Sequence, residues 1–269
     1  MEKTWRKIFI VLLIAALVAG ITAGNEKDGV NKGNAGNERA EIGVGKDEQT
    51  GEALPDGEQA RRRIAREGKL LEGWEEPPRI VIDPGHGGYD PGKIGINQLL
   101  EKDVNLVIAK KLRDDLEAAG VKVTLTREED AALSGEGEDH AKVRDLKRRI
   151  EIMEEADPVA VISIHQNSYP QESIRGAQIF YYPTSIEGKK LAQALQDRLI
   201  REVDPDNKRQ IKENNSYFLL KKTTVPIVIA ECGFLSNWEE AEKLNTPEYQ
   251  DDLAWALYLG VMDYLQENK

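Results

Sequence analysis

Four residues of this sequence have side chains suited to metal-assisted hydrolysis, and each stands where an α/β fold can bring it to one point: His86, Glu101, His165 and Glu231. Ile80-Val81-Ile82 leads through Asp83-Pro84-Gly85 into His86-Gly87-Gly88. Val159 to Ile164 leads into His165-Gln166-Asn167, and Ile227 to Ala230 leads into Glu231-Cys232-Gly233. Short apolar runs rich in β-branched residues and bounded by Pro, Gly or polar residues read as buried strands. Their C-terminal ends are where open α/β sheets build sites, and the glycines around His86 let backbone approach a ligand closely. Taken singly, His86 is a turn histidine, Glu101 an acid favoured by a helix N-terminus, and Glu231 a salt-bridged strand end. Taken together, two imidazoles and the Glu101 carboxylate suit a catalytic zinc, which takes three protein ligands and keeps a fourth position for water. Glu231 then has a task beside them: accepting the proton of a water that the metal acidifies, and passing it to a leaving amine. The remaining histidine, His140, sits among Glu136, Glu138 and Asp139 and reads as a surface residue.

The elements that must position these groups alternate from Arg79 onward. Strands are expected over Arg79–Asp83, Lys122–Thr126, a run ending at His165, Gln178–Tyr182, Tyr217–Leu220 and Ile227–Glu231. A helix over Leu99–Ala119 carries Val104, Ile108, Leu112 and Leu116 as one stripe and ends at Gly120. A second, Lys142–Ala156, carries Val143, Leu146, Ile150 and Met153, and a third spans Glu187–Glu202. Ser236 and Glu239 have capping-box spacing for a short helix to Leu244. Thr246-Pro247 opens the terminal helix with Pro at its first position. The alternation predicts one α/β domain, residues 79–269, with a largely parallel central sheet and flanking helices.

What precedes that domain does not look folded. Lys3, Arg6 and Lys7 followed by apolar Ile8–Ala19 and small residues to Ala23 read as an export segment, residues 1–23. Cleavage after Ala23 gives a secreted protein. An uncleaved anchor in the membrane is the alternative, although the apolar stretch is short against the about 20 residues of a span. Either way the chain beyond it works outside the cytoplasm. Residues 24–78, poor in apolar side chains, read as a linker with a short helix over Gln59–Leu71. The 269 residues are 40% hydrophobic and 32% charged, and the net charge of -11 argues against a nucleic-acid partner. The single cysteine, Cys232, rules out an internal disulfide and a closed cysteine-rich metal site.

Four segments, Val81–Gly88, Glu101–Leu106, Ser163–Asn167 and Glu231–Asn237, together resemble the signatures of the zinc-dependent N-acetylmuramoyl-L-alanine amidases of the amidase 3 type, in the same order. That resemblance implies that His86, Glu101 and His165 bind one zinc ion and that Glu231 is the catalytic acid/base. It implies peptidoglycan as substrate, cleaved between N-acetylmuramic acid and the L-alanine of the stem peptide. Asn167 and Arg175 are candidate substrate contacts from position alone. The family commonly has valine after the glutamate, where this chain has Cys232. Arg175-Gly-Ala-Gln-Ile-Phe-Tyr181 and the export segment bring the chain nearest to the germination-specific, CwlD-type amidases of spore formers, which help form muramic-δ-lactam in spore cortex. The short span between His165 and Glu187 has no room for a helix that blocks the metal, so control comes from a regulatory protein partner, from expression, or not at all. The rival readings are another zinc hydrolase of the same polymer, a carboxypeptidase or deacetylase, and a wall-binding protein without catalysis.

Overall fold

The computed structural model describes Leu71, residues 73–135 and residues 140–268. The export segment, most of the expected linker and all but the last residue of the helix expected over Gln59–Leu71 lie outside the described residues. Leu71 and Trp74, within the span read as linker, pack on the main hydrophobic core.

Among the described residues six strands form one sheet: β1 Arg79–Pro84, β2 Lys122–Leu125, β3 Ala160–Asn167, β4 Gln178–Tyr181, β5 Lys212–Glu213 and β6 Ile227–Phe234, in the order β2-β1-β3-β6-β4-β5. β2, β1, β3 and β6 run parallel. β4 is antiparallel to β6, and β5 follows β4. The α/β class and largely parallel sheet are thus as expected, with a reversed pair at one edge.

The helices are α1 Glu101–Ala118, α2 Ala141–Glu155, α3 Ile186–Glu202, α4 Phe218–Lys222, α5 Trp238–Leu244 and α6 Pro247–Glu267. Successive strand residues point to opposite faces, and both faces of the central strands are covered, which is why their sequences are continuously apolar. Ile80, Ile82, Ile162, Ile164, Val228 and Ala230 face a large core with α1, α3 and α6. Val81, Val161, Phe180, Ile227 and Ile229 face a smaller one with α2 and α4.

Three local expectations change. Tyr217–Leu220 is not a strand: Phe218–Lys222 is a helical turn that buries Leu219 and Leu220 in the smaller core. Its apolar run was too short for periodicity to decide. Ser236 does not cap α5. Asn237 does, accepting from the Glu240 N–H at 2.9 Å, while the Ser236 hydroxyl accepts from the Tyr169 N–H. Glu240 turns inward to accept from Gly176 and Phe234 N–H groups instead of closing the box. Val143 is 43% exposed, because the buried face of α2 centres on Arg149 and Met153. Six residues before Arg149, Val143 lies about 120° round the helix.

Arg149 is the unexpected member of the core. It is 2% exposed and pairs with fully buried Asp83 at 2.6 Å and with Asp145 at 2.7 Å. Asp83 also accepts from Thr126 at 2.6 Å and from Ser163, its register neighbour, at 2.7 Å. Burial alone would raise the Asp83 carboxyl, but the Arg149 charge and these hydrogen bonds hold it below the ordinary carboxylate range.

Asp83→Asn removes the fully buried one of the two carboxylates that pair with that guanidinium and leaves only Asp145. The expected cost is about 3–5 kcal/mol, measured as a fall in thermal midpoint at neutral pH. A depressed carboxyl contributes stability that is present above its unfolded-state value and lost as pH falls through the folded one. The gap between wild type and variant should therefore narrow in acid, and equal midpoints at pH 7 would refute the pairing.

Candidate active site

Because β1, β3 and β6 are parallel, their C-terminal ends share one edge of the sheet. His165 and Glu231 are direct register partners there. They lie on the same face as Asp83 and Ser163, the side covered by α2 and α4. Beyond β1, the turn carries His86 at φ 62°, followed by Gly87 at φ 138° and Gly88 at φ 56°. Such values are costly for a residue with a Cβ, so the turn is held by its surroundings. Arg149 donates to the carbonyls of Pro84 at 2.8 Å and His86 at 2.7 Å. Arg127 donates to Pro84 at 3.0 Å, to Gly85 at 3.1 Å and to Lys102 in the first turn of α1 at 2.8 Å. Glycine at 85 has a steric reason: a Cβ there would overlap the His165 ring.

Glu101 is the first residue of α1, 5% exposed in its side chain. Its Oε1 lies 2.9 Å from His165 Nδ1 and 3.2 Å from His86 Nε2. The same oxygen accepts from the Gln166 N–H at 3.1 Å, and Oε2 accepts from the Lys93 N–H at 2.7 Å. The imidazoles meet edge to face with centroids 5.0 Å apart. One donor atom from each of His86, Glu101 and His165 lies within 4.8 Å of the others. Burial would raise the Glu101 carboxyl, but the hydrogen bonds and charges of His165 and His86 hold it well below the usual range. Burial likewise opposes charge on His86, while Glu101 and then Asp90 push its pKa upward overall.

This donor set fits a divalent metal. Two imidazole nitrogens and an ionised carboxylate oxygen converge, and the chemistry of N, N and O suits zinc. His86 also has an outer partner: its Nδ1 is 3.0 Å from Asp90 Oδ2, which leaves Nε2 for the shared point. Carboxylate-oriented histidine is the usual support of a metal ligand.

Glu231 is 7% exposed. Its Oε1 accepts from the Tyr217 hydroxyl at 3.3 Å, and its buried Oε2 has no hydrogen-bond partner among the described residues. Burial pushes the carboxyl up to about 7, with the His165 charge opposing and the Glu101 charge adding to the rise. A carboxyl poised near neutrality can take and return a proton.

The structure therefore brings together the four residues picked from sequence. Asn167 lies two residues beyond His165, its side chain accepting from Ser168 N–H. Arg175 is half exposed and sits 3.7 Å from Glu239 of α5, outside the cluster. His140 is exposed, at the start of α2. Sequence reasoning missed Asp90, Arg127, Arg149 and Tyr217. Only Arg149 left a signal, a charge in the middle of the Leu146–Ile150–Met153 stripe.

A model of the N-acetylmuramoyl-L-alanine amidase family matches residues 80–263. The germination-specific N-acetylmuramoyl-L-alanine amidase of Bacillus subtilis strain 168 is 40% identical over 191 residues, 70% of this chain and 80% of that protein. The CwlD amidase of Clostridioides difficile, solved in complex with the GerS lipoprotein, is similar with a TM-score of 0.68 at 39% identity, over 70% of this chain and 98% of that one. A second N-acetylmuramoyl-L-alanine amidase, from Clostridium difficile 630, gives 0.65 at 32% identity over 72% of this chain and 100% of that one. The matched span takes in the whole cluster and the sheet that carries it, and on that ground this chain belongs to the N-acetylmuramoyl-L-alanine amidase family.

Proposed function

We propose that this chain is a peptidoglycan hydrolase of spore cortex that cleaves the amide between the lactyl group of N-acetylmuramic acid and L-alanine. In this reading His86, Glu101 and His165 hold one zinc ion and Glu231 carries the proton. The observation that carries it is the placement of a buried carboxylate in register with His165, beside a compact N, N, O donor set. Similarity to the germination-specific amidase of Bacillus subtilis supports the spore role, and the formation of muramic-δ-lactam is part of the same proposal.

When bound, zinc supplies an acidified water and a Lewis acid for the scissile carbonyl. The residues of the chain do the rest. Glu231 Oε2 takes a proton from the attacking water as its oxygen bonds to the lactyl carbonyl carbon. The C–N bond then breaks, and Glu231 returns that proton to the departing L-alanine nitrogen. Asp90 holds the His86 ring in one orientation, and Gly85 lets the His165 ring lie against the turn. Asn167 and Arg175 are assigned to the substrate rim, the latter through its exposed guanidinium.

The reading also divides the chain into an export or anchor segment 1–23, a linker 24–78 and the catalytic domain 79–269, working outside the cytoplasm. Among the described residues no helix is long and apolar enough to cross a membrane, and membrane contact is assigned to the N-terminal segment. A regulatory protein partner belongs to the proposal, supported by the lipoprotein complex of the Clostridioides difficile relative. A carboxypeptidase, a deacetylase or a non-catalytic wall binder is not favoured, given the family match.

Mass spectrometry of peptidoglycan fragments after digestion should show new free amines on L-alanine. New termini at D-alanine, or free amines on the sugar, would contradict the reading. His86→Ala and His165→Ala should each lower bound zinc well below one equivalent by metal analysis, and full zinc in both would refute the ligand set. Glu231→Gln should keep its zinc and its fold while cleavage falls by at least about 10²-fold, the lower range for general acid–base catalysis. Near-normal cleavage in that variant would remove Glu231 from the mechanism.

A further inference from the structure

We infer that Tyr217 is a positioning residue for amide cleavage: its hydroxyl fixes the Glu231 carboxylate through Oε1 and so leaves Oε2 to handle the proton. This rests on the reading of Glu231 as proton carrier and deepens it.

Glu231 has its backbone locked between β3 and β4, where His165 and Gln178 are its register partners. Only its side-chain torsions remain to be set. Tyr217 is the only hydrogen-bond donor to that carboxylate among the described residues, at 3.3 Å, and the other oxygen is buried and unpartnered. The neighbouring polar groups are engaged elsewhere. Gln178 donates to the Gln210 carbonyl, Arg209 donates to Gln178 and to the Arg175 carbonyl, and the Cys232 thiol faces the Ala230 carbonyl. A carboxylate tied at one oxygen presents the other in one direction, and directed donors that need no rearrangement during reaction are worth most in a water-poor site.

Tyr217 is itself held. Its N–H and that of Ser216 are gathered by Asn214 Oδ1, at 2.9 and 2.8 Å. Its ring meets Phe180 edge to face at 5.6 Å. Phe180 is the register partner of Ile229, two residues before Glu231 on the same strand and face. The turn of α4 follows at once and buries Leu219 and Leu220, so the phenol stands on packed structure. Burial, followed by the Glu231 charge, raises the phenol further above its ordinary value, so it remains a donor.

The test compares wild type, Tyr217→Phe and Glu231→Gln of the full chain, each loaded with zinc, on soluble muramyl-peptide fragments. Zinc content and thermal midpoint are measured alongside kcat and KM. Phe keeps the ring and its packing. Losing a hydrogen bond to a charged group corresponds to roughly 10- to 100-fold, so Tyr217→Phe should lose that much in kcat with KM, zinc and midpoint held. Wild-type kcat in Tyr217→Phe, with Glu231→Gln inactive, overturns the inference and leaves the role of Glu231 standing. A loss carried by KM, or one accompanied by lost zinc or a lowered midpoint, also overturns it, in favour of substrate contact or a structural role. Activity in Glu231→Gln removes the reading beneath it.

Discussion

The site depends on keeping a turn of unfavourable backbone geometry in one place, and two buried arginines do so. Beside the left-handed residue at 86, the carbonyls of Pro84, Gly85 and His86 are taken by side chains, Asn105 of α1 reaching that of Gly85 at 3.1 Å. Arg149 and Arg127 between them take the carbonyls of Pro84, Gly85 and His86. A guanidinium offers five donors in a rigid fork, which one lysine could not replace. The arrangement places two cations near each other. Burial, reinforced by the Arg149 charge, lowers Arg127 to about 10, while Asp83 and Asp130 oppose the fall. Asp83 is therefore more than a strand-end acid: its charge lets the pair of arginines exist where the turn needs them.

Strand alternation explains why chemistry gathers on one side. Asp83, Ser163, His165 and Glu231 all fall on the face covered by α2 and α4. That cover is thinner than the layer of α1, α3 and α6, since α4 has only five residues. Glu101 reaches the same point from the start of α1, over the sheet edge, and Arg127 links that first turn to the β1 turn through the Lys102 carbonyl. The metal-type cluster is thus tied into three elements, each anchored separately in the core.

Sequence reading recovered the cluster because burial on both faces made the carrier strands continuously apolar, and polar residues at their ends stood out. Terminators with a backbone cause were legible too: Gly120 at φ 88° and Thr246 capping a helix that starts with Pro247. The reversed direction of β4 was not, since strand direction leaves no local pattern, and β5, two residues long, went unread. A one-residue shift at Asn237 escaped because Ser and Asn both cap well. Arg127 looks like a surface charge until its carbonyl partners are known, and Arg149 shows only as a charge within the apolar stripe of α2. Asp90 and Tyr217 are ordinary residues in polar loops, and only tertiary contact gives them a role.

The short β5 has a further consequence. A sheet with a free edge presents unpaired backbone groups that can recruit another chain. Here that border is Lys212-Glu213, both exposed and of opposite charge, directly after which Asn214 bends the chain away. Two residues offer too little ladder for a foreign strand, and their charges resist desolvation. The sheet is thereby protected against edge-to-edge aggregation at its β5 border, one strand beyond the β4 partner of Glu231.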